Sequence, residues 1–120
     1  MRITIPFKTP SVNHLYFHWK HCTILTKEAR ALKKEIKEII DASTVIIKAN
    51  VPLKVSVEVY EKWYFKNGEV ARKDIANREK FLIDAVFEAL GMDDRHIFEL
   101  SFKKINSETE EKSVIDIEVL

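Results

Sequence analysis

One stretch of strictly alternating residues does most to limit the folds open to this chain. In PLKVSVEVYEKWYF, residues 52–65, the odd positions from Leu53 to Val59 are apolar, and the even positions from Lys54 to Tyr60 are polar or aromatic. Successive side chains of a strand point to opposite faces of its sheet, so this period of two predicts a half-buried β-strand. Such a strand needs other strands beside it and an apolar layer against its inner face.

Two segments with helical spacing flank this strand in the sequence. Thr26 stands where an N-cap belongs, and apolar residues follow it at helical intervals: Ala29, Leu32, Ile36, Ile39 and Ile40. They predict a first helix over about residues 27–42. A second helix is predicted over about residues 75–90, with Asp74 as its N-cap and Gly91 as the residue that ends it.

The remaining segments predict further strands and a loop. RITI at residues 2–5 alternates and is ended by Pro6, and IFELSFKKI and SVIDIEV near the C-terminus are strand-like. Residues 9–25 are irregular and aromatic, which predicts a loop that ends in a short strand. The order β-α-β-α-β-β indicates an α/β chain of the α+β kind, with a mixed sheet and helices on at least one face. We expect one domain, residues 1–120.

The predicted second helix is apolar on two sides, which indicates packing on two sides. One face carries Ile75, Leu82, Ala85, Val86 and Ala89, and the other carries Ala76, Ile83 and Phe87. We expect the first face to pack on the sheet, and the second to be covered by another copy of the chain in a homodimer. The alternative is that a loop or the C-terminal strands of the same chain cover it.

Charge is unevenly distributed along a chain whose formal net charge is only +1. Residues 1–37 carry eight Lys or Arg against two Glu, and residues 62–80 carry six against three acids. Residues 99–120 carry six acids against three lysines. This asymmetry predicts one basic face that would suit phosphates; the alternative is chance clustering of surface charge.

The sequence predicts neither a membrane protein nor a secreted one. No apolar run approaches the roughly eighteen residues of a membrane helix, so we expect no membrane partner. MRITIPFK, at the start, has no apolar signal-peptide core, which leads us to expect a cytoplasmic protein. The one cysteine, Cys22, cannot form a disulfide within the chain, in agreement with a reducing compartment.

Acidic residues flank both ends of the second helix. Asp74 precedes it, and Asp93 and Asp94 follow it. About sixteen helical residues, or roughly 24 Å, separate the two ends, so a straight helix keeps Asp74 and Asp94 apart. The spacing alone favours a helix cap and two loop acids. Paired carboxylates nevertheless suit Mg²⁺, and a lysine near them would suit a phosphodiester transition state.

The loop before the first helix has an H-x3-H-x2-H-C pattern, formed by His14, His18, His21 and Cys22. Zinc is the less favoured interpretation, because the sequence has no second cluster of ligands. The aromatic residues here favour a loop that stacks against a polar partner, and packing of their rings on the core is the alternative. The candidates for stacking are Tyr16, Phe17 and Trp19.

Several segments together resemble the RusA-type Holliday-junction resolvases, endonucleases that cut four-way DNA junctions with a divalent metal. PSVNH at residues 10–14 is similar to the P-S-x-N element of that family, and ILTKEARALKKEI is similar to the segment entering its first helix. The most specific match is KDIANREKFLIDAVFEALGMDDRHI, against R-D-x-D-N-x-x-K, then D-A-L, then D-D-x-x-I. The residues in register are Asp74, Asn77, Lys80, Asp84, Ala85, Asp93, Asp94 and Ile97.

The resemblance implies a RusA-like fold and a metal-dependent endonuclease of branched DNA that acts as a homodimer. Asp74, Lys80 and Asp94 stand at the family's catalytic positions. Asp74 and Asp94, with Asp93 as a further candidate, would hold Mg²⁺ or Mn²⁺, which implies that the two ends of the helix converge on one site. Candidate contacts to the DNA are Asn13, Lys8, Lys20, Lys66, Arg72 and Lys73.

Ala76 departs from the family pattern, which has an acid at this position. Its methyl group cannot bind a metal ion, and three interpretations are open. The substitution is engineered; or the chain is a natural variant in which Glu79, Asp84 or Asp93 completes the site; or the chain binds junctions without cutting them. A natural variant that is still a nuclease is favoured, because the acid Glu79 accompanies the alanine.

Overall fold

Six strands and two α-helices form in the described residues, which are 1–11, 16–20, 22–43 and 50–120 of the computed structural model. The strands are β1 (Arg2–Ile5), β2 (Tyr16–Trp19), β3 (Cys22–Leu25), β4 (Leu53–Glu61), β5 (Ile97–Asn106) and β6 (Lys112–Val119). The helices are α1 (Lys27–Asp41) and α2 (Ala76–Leu90), and a 3₁₀-helix at Asp94–His96 leads into β5. Neither α-helix is long and apolar enough to span a membrane.

Four of the strands form a mixed sheet in the order β1-β6-β4-β5. β6 runs antiparallel to both β1 and β4, whereas β5 runs parallel to β4. Parallel neighbours need a crossover connection, and α2 supplies it between β4 and β5. The predicted α+β class, with its mixed sheet and two main helices, is therefore confirmed.

A separate hairpin of β2 and β3 lies where the sequence predicts a loop ending in a short strand. The two strands are antiparallel, with Tyr16 opposite Leu25, and both of these side chains pack against the hydrophobic core. The short strand is confirmed as β3, and β2 is an additional strand. Each has only four residues, too few for a period of two to stand out in an aromatic segment.

The hydrophobic core lies on one face of the sheet, under the two helices. The β4 residues predicted to face inward are almost fully buried: Leu53, Val55, Val57 and Val59. Ile115 of β6 lies beside Val57 in the same layer, and Ile36 of α1 and Leu82 of α2 belong to the same core. Each such side chain contributes roughly 1.5–3 kcal/mol by leaving water. The core therefore holds both helices against β4, which positions the ends of α2.

Two predicted helix ends are confirmed. The Thr26 Oγ1 accepts a hydrogen bond from the Ala29 N–H at 3.2 Å, so Thr26 caps α1. Gly91 ends α2 in the left-handed conformation, with φ of 68°, where a side chain would be strained. The Met92 N–H then donates to the Phe87 carbonyl at 3.0 Å, which turns the chain out of the helix.

The prediction that Asp74 caps α2 is wrong. Ile75 occupies the N-cap position, already has helical angles (φ −64°, ψ −33°), and makes no side-chain capping bond. The Asp74 main-chain carbonyl instead accepts the Asn77 N–H at 3.2 Å in a tight preceding turn. Because that turn begins the helix through the main chain, the Asp74 carboxylate is not used as a cap.

The second apolar stripe of α2 is covered by the chain itself. Ile83 is 4% exposed and Phe87 is 2% exposed, while Ala76 alone of the stripe is exposed. α1 packs against α2, and Lys33 of α1 shares a groove with Phe87. The interpretation of this stripe as a dimer interface is therefore wrong, because Ile83 and Phe87 are buried within one chain.

Candidate active site

A cleft of about 530 Å³ opens at the N-terminal end of α2. One wall comes from residues 8–11, after β1, and the other from residues 72–74 with Asn77 and Arg78. The Arg78 Nη1 donates a hydrogen bond to the Thr9 carbonyl at 2.6 Å, and the Thr9 Oγ1 lies 3.0 Å from the Ser113 Oγ of β6. These buried contacts hold the two walls together.

The described lining of the cleft is strongly cationic around one carboxylate. Its charged lining residues are Lys8, Arg72, Lys73, Asp74 and Arg78. Four positive side chains on one concave surface raise the local potential for a phosphate group. Asp74 is exposed among them, so the cleft combines anion-binding groups with one carboxylate.

A buried carboxylate lies beneath the cleft and neutralises part of this charge. Glu61 ends β4, and its side chain is 2% exposed. Its Oε2 accepts hydrogen bonds from the Lys73 Nζ at 2.8 Å and from the Arg78 Nη2 at 3.3 Å. Buried charges are tolerated when they are paired in this way. Lys73 and Arg78 are thus held by Glu61. Lys8, whose Nζ lies 4.0 Å from the Glu61 Oε2, and Arg72 are exposed at the mouth.

Trp63 ties the Asp74 segment to the ends of β4 and β5. Its buried ring lies 5.3 Å from the Lys73 Nζ and 4.8 Å from the Lys104 Nζ, and its Nε1 donates to the Val59 carbonyl at 3.0 Å. The Lys104 Nζ, on β5, donates to the Lys73 carbonyl at 2.8 Å. The residue directly before Asp74 is therefore bonded to the C-terminal half of β5.

The family comparison covers almost the whole chain, including both walls of this cleft. The family model described as Endodeoxyribonuclease RusA matches residues 6–118. The chain belongs to the RusA endodeoxyribonuclease family. Membership implies Holliday junction resolvase endonuclease activity on branched DNA. No curated protein matches the sequence.

Asp94, the other carboxylate that the resemblance places at the metal site, lies at the opposite end of α2 from Asp74. It opens the 3₁₀-helix and lines a groove of about 370 Å³ that also contains Asp84, Glu88 and Asp93. The fifteen residues of α2 extend about 22 Å. Within one chain, the structure does not bring Asp74 and Asp94 together.

Lys80 lies between the two ends, on an exposed part of α2. Its Nζ donates a hydrogen bond to the Asp84 carboxylate at 3.3 Å and lies 5.9 Å from the Tyr16 ring. The hydrogen bond and the charge of Asp84 raise the pKa of Lys80 above its ordinary value, with a smaller contribution from Tyr16. Lys80 therefore keeps its positive charge, and it lies on α2 between the cleft and the groove.

The described carboxylates of the candidate site do not cluster within one chain. Across residues 1–11, 16–20, 22–43 and 50–120, no three His, Cys, Asp or Glu side chains form a group that would hold one. The cleft offers Asp74, while Asp93 accepts the Arg95 N–H at 2.9 Å, which lowers the pKa of Asp93. The two carboxylates at which the resemblance implies a Mg²⁺ or Mn²⁺ site, Asp74 and Asp94, therefore lie apart within this chain.

The predicted DNA contacts divide into two groups. Lys8, Arg72 and Lys73 line the cleft beside Asp74. Lys66 lies in the turn that is closed by the Phe65 and Glu69 main chains, and Lys20 lies in the turn between β2 and β3; neither lines the cleft. Asn13 lies outside the described residues.

The candidates of the aromatic loop are described only in part. Tyr16 is half-buried beside Lys80, and His18 is exposed on β2. His14 and His21 lie outside the described residues, as do the side chains of Phe17, Trp19 and Cys22. The zinc and stacking interpretations therefore stay predictions.

Sequence reasoning missed Glu61 and Arg78, which organise the floor of the cleft. The alternation of β4 indicates that Glu61 is buried, because position 61 lies on the same side of the strand as Val57 and Val59. A glutamate on the buried side of a strand needs a positive partner. Arg78, directly after Asn77 of the RusA motif, is that partner.

Proposed function

We propose that this RusA chain hydrolyses phosphodiester bonds at four-way DNA junctions in its cationic cleft. The observation that supports it most is the position of Asp74, directly before the helix that carries the RusA motif. Among the described residues that line the cleft, it is the one acid beside four cations. A phosphodiester brought there would meet both positive charge and a carboxylate. Neither a purely acidic nor a purely basic surface offers this combination.

The residues of the cleft would have separate roles. The exposed Lys8 and Arg72 would bind backbone phosphates, and the Arg72 guanidinium suits two phosphate oxygens at once. Asn77 would donate an amide hydrogen bond to the same strand. Lys80, held protonated by Asp84, would stabilise negative charge on the phosphate or the leaving oxygen.

Mg²⁺ or Mn²⁺ is the proposed cofactor, with Asp74 and Asp94 as ligands and Asp93 as a further candidate. This part of the proposal rests on the RusA motif. When bound, such an ion neutralises phosphate charge and activates water. Because Asp74 and Asp94 of one chain lie at opposite ends of α2, one ion cannot contact both of these carboxylates within a single chain.

A synthetic four-way junction tests the proposal. The wild-type protein should cut it in the presence of Mg²⁺ or Mn²⁺, and should bind it without cutting in EDTA. Asp94→Asn should abolish cutting and leave the gel shift in EDTA unchanged, because the substitution keeps the shape of the side chain. Cutting by Asp94→Asn would remove Asp94 from the site.

The alternative is a protein that binds junctions and does not cleave them. The observation in its favour is Ala76, whose exposed methyl group stands on the first turn of α2, where RusA proteins have an acid. Glu79 does not replace that acid in the described cleft lining. A gel shift without cutting at any metal concentration would support this function.

A homodimer belongs to the same proposal. A four-way junction has approximate two-fold symmetry, and its resolution needs paired cuts in opposite strands. Two identical chains related by a two-fold axis would present two cleavage sites in matching symmetry. Because the stripe on α2 is buried, this dimer needs a different surface.

A further inference from the structure

A short hairpin, residues 63–71, connects β4 to the segment that lines the cleft. The Ala71 N–H donates a hydrogen bond to the Trp63 carbonyl at 2.8 Å, and Tyr64 forms an antiparallel bridge with Val70. None of the roles assigned to the cleft residues uses this hairpin. It is an ordered, two-stranded segment that lies next to the candidate site in the chain.

The tip of the hairpin is a tight turn fixed by its own main chain. The Phe65 N–H donates to the Glu69 carbonyl at 2.7 Å, and the Gly68 N–H donates to the Phe65 carbonyl at 3.0 Å. Gly68 has a φ of 87°, and a three-residue hairpin loop requires such a left-handed residue at its third position. The Asn67 Oδ1 also accepts the Glu69 N–H at 3.0 Å. The two strands are therefore held together up to the tip.

The base of the hairpin is fixed to the hydrophobic core. Trp63 is 2% exposed and Ala71 is 7% exposed, and these two residues lie at the start of the two strands of the hairpin. The Trp63 N–H donates to the Asn106 Oδ1 of β5 at 2.8 Å. Because both strands are anchored at the base, the hairpin has a fixed direction relative to the cleft.

Beyond this base, the hairpin exposes apolar side chains next to one another. Tyr64 is 50% exposed, Phe65 is 51% exposed and Val70 is 62% exposed. The main-chain hydrogen bonds of the hairpin lie on either side of the Tyr64–Val70 pair, and opposite side chains are closest at such a position. Exposed apolar side chains that adjoin one another in this way mark an interaction surface more often than single ones do.

The hairpin presents an aromatic ring on each of its two sides. Tyr64 and Phe65 are consecutive residues of one strand, and successive side chains of a strand point to opposite faces. An extended hairpin with a ring on each side is thin enough to lie between two flat groups and to contact both. Base pairs are flat groups of this kind, and aromatic rings stack on them whatever their sequence.

The charges around these rings favour DNA as the occupant rather than an apolar protein surface. Residues 62–73 carry four Lys or Arg against one Glu. Lys66 is exposed at the tip, and Arg72, two residues after Val70, is exposed and lines the cleft. Stacking rings flanked by cations are the combination with which proteins bind DNA where its bases are accessible. The apolar surface of the hairpin is therefore continuous with the phosphate-binding surface of the cleft.

We propose that the hairpin inserts between two arms at the branch point of a DNA junction, where Tyr64 and Phe65 each stack on the last base pair of one arm. The identity of the DNA rests on the proposed function. At the centre of an open four-way junction, each arm ends in a base pair without a stacked neighbour on one face. In continuous duplex every base pair has two such neighbours, and insertion of a side chain costs the free energy of unstacking them. The hairpin thus selects branched DNA over duplex.

The distance from the hairpin to the cleft suits this arrangement. Four residues separate Val70 from Asp74, so their Cα atoms lie at most about 14 Å apart. The Lys73 N–H donates to the Ala71 carbonyl at 2.8 Å, and this turn shortens the distance further. Stacked bases of one strand are about 3.4 Å apart. A phosphate in the cleft therefore lies within about four nucleotides of the branch point.

Replacing both Tyr64 and Phe65 with alanine tests the selectivity. Gel shifts in EDTA compare a four-way junction with a linear duplex that contains the sequence of two of its arms. The double variant should lose at least about 5-fold in junction affinity, the smaller end of the range for one stacked base, and should keep its duplex affinity. Phe98→Ala removes a ring that is 69% exposed on β5, and it should change neither affinity.

Each other outcome of these gel shifts overturns the proposal. Unchanged junction affinity of the double variant, or an equal loss for junction and duplex, means that the rings do not select the branch point. A wild type that does not bind the junction overturns the proposed function together with the role of the hairpin. Because EDTA prevents any metal-dependent cutting, a wild type that binds junctions without ever cleaving them rejects only the nuclease.

Photocrosslinking tests the position of the hairpin on the wild-type protein, without any substitution. Junctions that carry 5-iodouracil react on irradiation with an aromatic side chain stacked on that base. A 5-iodouracil beside the branch point should crosslink to the peptide that contains Tyr64 and Phe65, whereas one in the middle of an arm should not. Crosslinking of the branch-point base to a different peptide, or equal crosslinking at both positions, overturns the insertion.

Discussion

At the scale of single residues, two positions carry most of the argument about chemistry. Ala76 stands exposed on the first turn of α2, two residues after Asp74, where the RusA pattern has an acid. Glu61 is the reverse case, a buried acid that the motif does not include and that holds two of the cleft cations. Ala76 bears on the reactivity of the site, and Glu61 bears on whether the cleft keeps its shape.

Ala76→Asp should raise cleavage of a four-way junction or create it. The new carboxylate would stand two residues from Asp74, where the family pattern has its acid. In the first turn of a helix, it also gains about 0.3–1 kcal/mol of stability from the helix dipole. The fold and the junction affinity in EDTA should change little. Ala76→Asn keeps the size without the charge and serves as the control. If neither the cutting rate nor the Mn²⁺ affinity rises, position 76 is not a vacant ligand position.

Glu61→Gln should destabilise the protein by about 3–5 kcal/mol, because it leaves the buried Arg78 guanidinium without a negative partner. Urea unfolding followed by circular dichroism measures the loss. Asp116→Asn removes the carboxylate of an exposed pair, the one with Arg2 at 3.0 Å, and should cost at most about 1 kcal/mol. Equal costs for the two variants would mean that the Glu61 cluster does not carry the stability assigned to it.

At the scale of elements, α2 both packs in the core and carries polar residues of the candidate site. Its buried side chains join the core between the sheet and α1. Asn77, Lys80 and Asp84 follow one another along its less buried side, between the cleft and the acidic groove, which is the groove lined by Asp93 and Asp94. Because the helix is rigid over about 22 Å, it also separates the two carboxylates. The element that positions Asp74 thus prevents Asp94 of the same chain from reaching it.

Phe87→Ala should cost about 3–5 kcal/mol of folding stability, since it leaves a cavity at a side chain that is 2% exposed within one chain. Phe87→Glu should unfold the chain rather than release folded monomers. Phe65→Ala, at a side chain that is 51% exposed, should change stability by only about 0.5 kcal/mol. Folded monomers of Phe87→Glu would instead show that the second apolar stripe of α2 is an interface between two chains.

At the scale of the whole molecule, pockets of opposite charge lie at the two ends of one helix in a nearly neutral chain. The cationic cleft lies at the N-terminal end of α2 and the acidic groove at its C-terminal end. The formal net charge of +1 therefore does not indicate that one pocket of the surface is mainly cationic and another mainly acidic. Binding to DNA should depend on the cationic end and on salt.

Replacing both Lys8 and Arg72 with alanine should reduce the slope of log affinity against log salt by about two, one for each lost phosphate contact. Gel shifts in EDTA at several salt concentrations measure it. The matched control replaces Lys27 and Lys54, two exposed lysines that do not line the cleft, and should keep the wild-type slope. An unchanged slope for the cleft variant would show that the DNA does not bind there.

The sequence by itself determined those parts of this protein that depend on near neighbours in the chain. The alternation of β4, the helical spacing of α1, the Thr26 cap and the Gly91 turn all follow from local geometry. The family followed from a resemblance of the sequence to the RusA pattern, which the family model confirms. Only the tertiary structure decided the strand order, the burial of Phe87 against its own chain, the Glu61–Arg78 pair and the distance between Asp74 and Asp94. These features join residues far apart in sequence, and no local pattern records which segments pack together or which edge of the sheet is left unpaired.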